Sequence, residues 1–251
     1  MPPEQQPEFN YSKLRAYLDC PYLYRYTYVQ GRYAPHSPWS SLGQTVHRAL
    51  ARWHANGGDL SDLILYYDEF WQAKGYATPG QVLEFYEKGR DIMERWWTLV
   101  QERPQKALYF EKVFVFEFNG WRLRGTVDRI DRLADGSHEI IDYKLGFDER
   151  PPGPLEEDLQ LALYAIGARE GLGLKVSAVS KFYLARMEKV TAPYDGSRNA
   201  AVLALVKETG EKILAGVYDR KGKCPSCPIR DLCPESEARS EARDTIPISR
   251  P

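Results

Sequence analysis

No run of about 18 apolar residues occurs in the sequence, which excludes a membrane-spanning helix. Charge of one sign is not in excess either. The 34 Lys and Arg stand against 35 Asp and Glu, a net charge of −1, so any phosphate-binding surface has to be a local patch compensated elsewhere. There is no G-x-x-x-x-G-K-[ST] stretch to cradle a nucleotide, and no internal repeat. The opening MPPEQQPEFNYSK lacks the basic-then-apolar layout of a secretory signal, so a cytoplasmic chain with reduced thiols is expected. Cysteine is down to four residues, for which disulfides are then a poor use. What remains is ordinary: 251 residues, 43% hydrophobic and 27% charged, enough for one α/β domain with its own core.

The organisation changes along the chain. Ser12 reads as the N-cap of a helix over KLRAYLDC that Pro21 ends, and YLYRYTYV reads as a strand or a second short helix. Leu42, Val46, Ala49, Leu50 and Trp53, then Leu83, Tyr86, Ile92, Met93, Trp96 and Leu99, follow a helical period, with breaks at Gly57-Gly58 and Thr78-Pro79-Gly80. A helical lobe over about 42–105 is expected. Over about 106–218 an α/β core follows. Its three antiparallel strands turn at Asn119-Gly120 and Asp135-Gly136, and a helix over 155–170, a strand over 175–184 and a helix over 199–215 complete it. From residue 235 to 251 the chain is charged and poor in large apolar residues, a flexible tail.

Two of these strands end in acids: Gly125-Thr126-Val127-Asp128-Arg129-Ile130-Asp131 and Ile140-Ile141-Asp142-Tyr143-Lys144. Across the hairpin Asp128 and Asp142 can face each other. Strand alternation puts Asp142 and Lys144 on one face, while Tyr143 points away and offers its backbone carbonyl. Hard oxygen ligands beside an ammonium suit Mg²⁺ or Mn²⁺ and phosphodiester hydrolysis. The competing reading is a solvated ladder of ion pairs through Asp128, Arg129, Asp131 and Arg132. Against it, a charge between Ile140, Ile141 and Leu145 is costly without a task.

The cysteines fit one site: Cys224-Pro-Ser-Cys227, Cys233 six residues on, and the distant Cys20. Four soft ligands imply a metal, and by chemistry alone tetrahedral zinc and a [4Fe–4S] cluster are equally legitimate. Near the N-terminus, Tyr11, Tyr17, Tyr22, Tyr24, Tyr26, Tyr28 and Tyr33 interleave with Lys13, Arg15, Arg25 and Arg32. That mixture suits stacked bases and phosphates, with Tyr22, Tyr24, Arg25 and Arg32 as candidate DNA contacts. Packing of aromatic faces into a core is the alternative use.

Taken together, these motifs resemble the PD-(D/E)XK nuclease superfamily, in the branch with RecB and AddB nuclease domains, over most of the chain. The resemblance implies a restriction-endonuclease-like fold, a mixed central sheet flanked by helices with an inserted helical lobe, as one domain over 1–234. In G-x-x-D-R-x-D it supplies a metal-binding acid, Asp128; in D-x-K a second, Asp142, with Lys144. Gly43-Gln44-Thr45-Val46-His47 matches G-x-x-x-H, which makes His47 a metal ligand where a lone histidine would otherwise read as structural. Gln160 and Tyr164 match Q-x-x-x-Y, and Glu111 resembles a further acid that organises the site. Val127 stands where a proline can precede the first acid, and Asp142 where Glu is common; neither departure removes an oxygen ligand.

Cys20-Pro21 with Cys233-Pro234 resembles the iron staple of AddB-type and CRISPR-associated adaptation nucleases. That resemblance implies a [4Fe–4S] cluster on Cys20, Cys224, Cys227 and Cys233, joining N- and C-terminal segments. The function so implied is a Mg²⁺- or Mn²⁺-dependent deoxyribonuclease, an exonuclease on single-stranded DNA ends in repair or recombination, alone or with a separate helicase. The alternative is a non-catalytic iron–sulfur or zinc scaffold that binds DNA in a repair or CRISPR adaptation complex.

Overall fold

Positive φ angles at Asn119 (53°), Gly120 (74°) and Gly136 (82°) turn the chain where both hairpins need it. In the computed structural model, which describes residues 6–102, 107–146, 153–220, 224–234 and 236, these turns join β2 (Ala107–Phe118), β3 (Trp121–Arg132) and β4 (His138–Lys144) into an antiparallel meander. Helix α6 (Leu159–Leu172) then carries the chain over to β5 (Val176–Tyr183), which pairs parallel to β4. Strand β6 (Glu188–Pro193) adds antiparallel to β5, and the short β1 (Glu8–Phe9) lies beside β3. The result among the described residues is a six-stranded mixed sheet. Neither β1 nor β6 was expected from the sequence, because two residues are too few for alternation and EKVTAP carries little apolar signal.

The chain divides into two compact units, residues 1–8 with 36–202 and residues 9–35 with 203–251. In the first, α3 (Pro38–Asn56), α4 (Leu60–Phe70) and α5 (Pro79–Glu102) form the helical lobe, and residues 103–105 of the expected lobe lie outside the described ones. Leu42, Val46, Leu50, Leu63, Tyr67, Ile92 and Trp96 of this lobe pack on Ile141, Tyr143 and Phe182 of the sheet. A second core joins Leu161, Ala165 and Ala168 of α6 to Phe114, Ile130, Ile140 and Val179. The sheet is thus covered by helices through two separate cores, which is the α/β arrangement the strand and helix pattern predicts.

The second unit holds α1 (Tyr11–Asp19), α2 (Pro21–Tyr24), a π-helical turn at Arg25–Val29 and a 3₁₀ turn at Cys224–Ser226. YLYRYTYV is therefore helical rather than a strand. The N-cap of α1 is Asn10, whose side chain accepts the Lys13 N–H at 2.9 Å, not Ser12, which lies inside the helix. Helix α7 (Asn199–Leu214) runs across the division between the units. The expected tail falls outside the described residues except for Ser236. No helix among the described residues is long and apolar enough to cross a membrane.

Gly125, which opens the G-x-x-D-R-x-D stretch, sits opposite Phe114 in the β2–β3 register. A Cβ at Gly125 would lie 2.4 Å from that ring, and one at Gly167 of α6 would lie 2.2 Å from its other side. The ring is 4% exposed and held between two glycines, so it cannot swing clear. At Gly43 a Cβ would meet only Leu145, at an ordinary 3.6 Å. Gly125→Ala is therefore expected to cost about 1–3 kcal/mol, while Gly43→Ala leaves stability within about 0.5 kcal/mol. Urea unfolding of both variants checks this, and equal midpoints would refute the steric role of Gly125.

Candidate metal and catalytic site

Strand alternation does what the sequence requires at the end of β4. Tyr143 turns its ring into the lobe-side core, edge-on to Trp96 and Phe182. Asp142 and Lys144 take the other face, with Lys144 Nζ 2.7 Å from Asp142 Oδ2. Asp142 is 2% exposed, so its carboxylate is almost wholly out of water with the Lys144 ammonium as its charge partner. Lys144 Nζ also donates to Gln160 Oε1 at 3.0 Å, and Gln160 Nε2 donates to the Tyr164 hydroxyl at 3.1 Å. Gln160 and Tyr164 are one turn apart on α6, so one helix face presents the amide and its support together.

Asp128 arrives from β3. The regular β3–β4 pairing ends at Arg129 with Ile141, and beyond it the Tyr143 backbone N–H donates to Asp128 Oδ2 at 2.7 Å. The Asp128 Oδ1 lies 3.7 Å from His47 Nδ1, on the helix α3. His47, Glu111 and Asp128 each offer one ligand atom, and the three atoms lie within 4.8 Å of one another. The flanking pairs Phe110 with Arg129 and Lys112 with Val127 set Glu111 across from Asp128. Glu111 has φ 44°, a rare conformation for a residue with a side chain. Sequence reading gave Glu111 an organising role and Asp142 a metal role. In the structure Glu111 belongs to the tight triplet, and Asp142 lies within electrostatic reach of Asp128 and His47 in it.

The electrostatics carry the mark of crowded acids. Desolvation, and then the Asp128 charge, push Glu111 up to about 7, even though much of the residue's surface is exposed. Burial pushes Asp142 up to about 6, with Lys144 opposing and Asp128 reinforcing the shift. Burial disfavours the His47 imidazolium, but contact with Asp128 and the charges of Asp128, Asp142 and Glu111 prevail and raise its pKa. For the two acids burial is the larger cause and the Asp128 charge the smaller, while for His47 the surrounding carboxylates outweigh burial. The donor set of carboxylates and one imidazole fits a hard divalent ion.

The solvated-ladder reading fails at Arg129 and Asp131. They are 6% and 8% exposed and pair through both guanidinium and both carboxylate atoms beneath the site. Beside them, His54 stacks on Phe110, and burial, then Arg129, hold it neutral with a pKa of about 3.

In the second unit Cys20, Cys224, Cys227 and Cys233 line one cavity of about 530 Å³, with Arg15, Asp19, Tyr22 and Arg230 among its walls. All four are thiols, and partial burial, then the neighbouring Cys20 and Cys224, raise Cys227. Of the candidate DNA contacts, Arg25 and Arg32 are exposed and Arg32 lies over the Tyr26 ring. Tyr22 is half-buried against the apolar nucleus of Tyr26, Ile229 and Cys233. Tyr24 departs from the expectation. It is 7% exposed, its ring stacked on Tyr218 and edge-on to Tyr17, so it offers no free face to a base.

A profile of the PD-(D/E)XK nuclease superfamily matches residues 8–234. The chain belongs to that superfamily. Its members are metal-dependent nucleases, and the His47, Glu111 and Asp128 group is this superfamily member's candidate divalent-metal site. Among solved structures, a "Putative exonuclease" from Eubacterium rectale shares the fold, with TM-score 0.56 and 14% identity over 96% of this chain and 89% of that one. A structure named SSO0001 aligns at TM-score 0.38 and 15% identity, covering 89% of this chain and 92% of its own. No curated protein sequence matches the chain.

A pH prediction follows for this superfamily site. Glu111, Asp142 and His47 all have folded-state pKa values raised above their ordinary ones. The stability the two acids contribute is therefore present below the ordinary carboxylate range and lost as pH rises through about 6–7, and that of His47 is lost as pH rises above the ordinary histidine range. A divalent ion removes that loss, but below pH 6 it has to displace protons. His54 acts oppositely, its contribution lost as pH falls below 6.5, yet it is indifferent to metal. The rise in Tm on adding Mn²⁺ is expected to be larger at pH 8 than at pH 5.5, and to shrink in Glu111→Gln. An equal rise at both pH values would contradict the assignment.

Proposed function

We propose that the protein is a Mg²⁺- or Mn²⁺-dependent deoxyribonuclease acting at single-stranded DNA ends in repair or recombination, and that it carries a [4Fe–4S] cluster. The observation that carries the hydrolytic part is the convergence of the His47, Glu111 and Asp128 group with the chain from Asp142 through Lys144 and Gln160 to Tyr164. His47, Asp128, Asp142 and the Tyr143 carbonyl would hold the divalent ion, with Glu111 organising the first two or joining them. When bound, the ion offsets the charge that develops on the scissile phosphate and makes a nearby water more acidic.

The remaining work falls to side chains. Lys144, an ammonium beside the Asp142 carboxylate, donates to the attacking water and orients it toward phosphorus. As the water oxygen bonds to phosphorus, the water passes a proton to solvent and the phosphorus–oxygen bond to the leaving strand breaks, its alkoxide oxygen taking up a proton from solvent. Gln160 holds the Lys144 Nζ through its carbonyl oxygen, and Tyr164, accepting from the amide nitrogen, fixes which way that amide faces. The exposed Arg25 and Arg32 are the proposed phosphate contacts. Action at ends is in keeping with the exonuclease name of the Eubacterium rectale protein. Without a nucleotide-binding motif of its own, the chain would receive single strands from a separate helicase, repair or CRISPR adaptation partner.

For the cysteines, the donor set and its spread support a cluster over zinc. Tetrahedral zinc with bonds of about 2.3 Å draws four sulfurs to about 3.8 Å from one another. Among the described residues no three cysteine sulfurs share a 4.8 Å neighbourhood, although all four line one cavity. Such a cavity suits a larger iron–sulfur core with a structural task.

Protein purified without oxygen is expected to contain about four irons and four sulfides per chain, and to degrade end-labelled single-stranded DNA only with Mg²⁺ or Mn²⁺. Zinc in place of iron would overturn the cluster, and absence of digestion with either ion would overturn the nuclease. Asp128→Ala and Lys144→Ala are each expected to lower cleavage by about 10²–10⁴-fold while DNA binding persists. Cleavage unchanged in both would assign the chemistry elsewhere.

A further inference from the structure

Lys144 is not the only lysine on the active face of the sheet. In the parallel pairing of β4 with β5, Lys181 is the register partner of Asp142. Neighbouring strands lie about 4.8 Å apart, and paired residues project to the same side, so Lys181 starts next to the buried Asp142 carboxylate. A four-carbon stem easily spans that gap. Yet its ammonium goes elsewhere: Lys181 Nζ pairs with Asp158 Oδ2, with the two side chains only 17% and 20% exposed. Asp158 has a second task, for its Oδ1 accepts the Leu161 N–H at 2.9 Å and caps α6, the helix that presents Gln160 to Lys144. Asp158 also lies within electrostatic reach of Lys144.

Two ammonium groups on Asp142 would more than neutralise it. The carboxylate would then repel a divalent ion, and Lys144 would share its partner. We propose that Asp158 is a positioning residue that tethers Lys181 away from Asp142, and that this tether sets the divalent-metal affinity of the site. The inference rests on the metal-dependent reading above and adds to it two residues that lie outside the D-x-K and Q-x-x-x-Y patterns. Asp158 serves the chemistry through a charge it removes, and through the helix it caps, without touching phosphate or metal.

Asp158→Asn tests the tether, because asparagine caps a helix as well as aspartate does but cannot hold an ammonium. Isothermal titration with Mn²⁺, in the absence of DNA, reads the affinity directly. Asp158→Asn is expected to bind Mn²⁺ about tenfold more weakly than wild type or worse, since a freed Lys181 competes for Asp142. In Asp158→Asn with Lys181→Met the competing charge is gone, and wild-type affinity is expected to return. A purely structural ion pair predicts the opposite, since replacing its second partner as well does not restore the lost pair. Double-variant affinity no better than that of Asp158→Asn, or Asp158→Asn affinity equal to wild type, would overturn the tether. Melting in EDTA verifies that each variant is folded. Wild-type protein that binds no Mn²⁺ would overturn the metal-dependent reading itself, whereas wild-type binding that neither substitution alters would overturn only the tether.

Discussion

The hydrogen bond from the Tyr143 backbone N–H to the Asp128 carboxylate is the constraint on which the site depends. It forms where the β3–β4 ladder stops, so a side chain takes over the role of the next ladder partner. One bond thereby fixes the carboxylate of one strand beside the next strand, within the same few ångströms as Asp142. A charged acceptor makes such a bond stronger than an ordinary ladder bond. Burial, and after it the Asp128 charge, raise the pKa values of Glu111 and Asp142, so the site carries a cost in desolvation and in like charge. His47, Lys144 and that N–H offset part of the cost. A divalent cation would offset the remainder, which is why the arrangement reads as a binding site and not as a network complete in itself.

The rest of the first unit holds that bond in place. Each residue of the Asp142-Tyr143-Lys144 run serves a different neighbour because a strand alternates. The Tyr143 ring is locked among Trp96 and Phe182 by the helical lobe, and this fixes the twist that aims Asp142 and Lys144 toward α6. On the α6 side, Phe114 wedges between Gly125 and Gly167, so the strand carrying Asp128 and the helix carrying Gln160 are set against the same ring. Buried Arg129 and Asp131 add a paired charge beneath the site that tolerates no sideways slip of β3.

Much of this was legible in the sequence, and what was not has identifiable causes. Period-two patterning and the Asn119-Gly120 and Asp135-Gly136 turns located the meander, and alternation placed Asp142, Lys144 and the Tyr143 ring on their observed faces. A four-residue spacing put Gln160 and Tyr164 together. Glu111 was harder, since joining His47 and Asp128 depends on its positive φ, which no local pattern in ALYFEKVF announces. Strand β6 escaped because three of the residues in EKVTAP are polar and its pairing is tertiary. The Asp158 and Lys181 pair is invisible to motif reading, because it links residues 23 positions apart through a parallel strand register. Tyr24 was misassigned because a tyrosine-rich, cation-rich run looks alike whether its rings face solvent or one another.

Two donor chemistries are kept apart in the molecule. The first unit offers carboxylates and an imidazole, which select hard divalent ions; the second offers four thiols, which select zinc or iron with sulfide. They also differ in what they owe to the fold. The acids sit on a sheet held by two apolar cores, so the packing that positions them is made of side chains. The thiols sit around a nucleus of Tyr26, Ile229 and Cys233, too small to order both ends of a loop running from residue 20 to residue 224. There the proposed cluster would contribute its binding energy to folding. On the proposed function, the acids would bind a metal for chemistry and the cysteines one for structure.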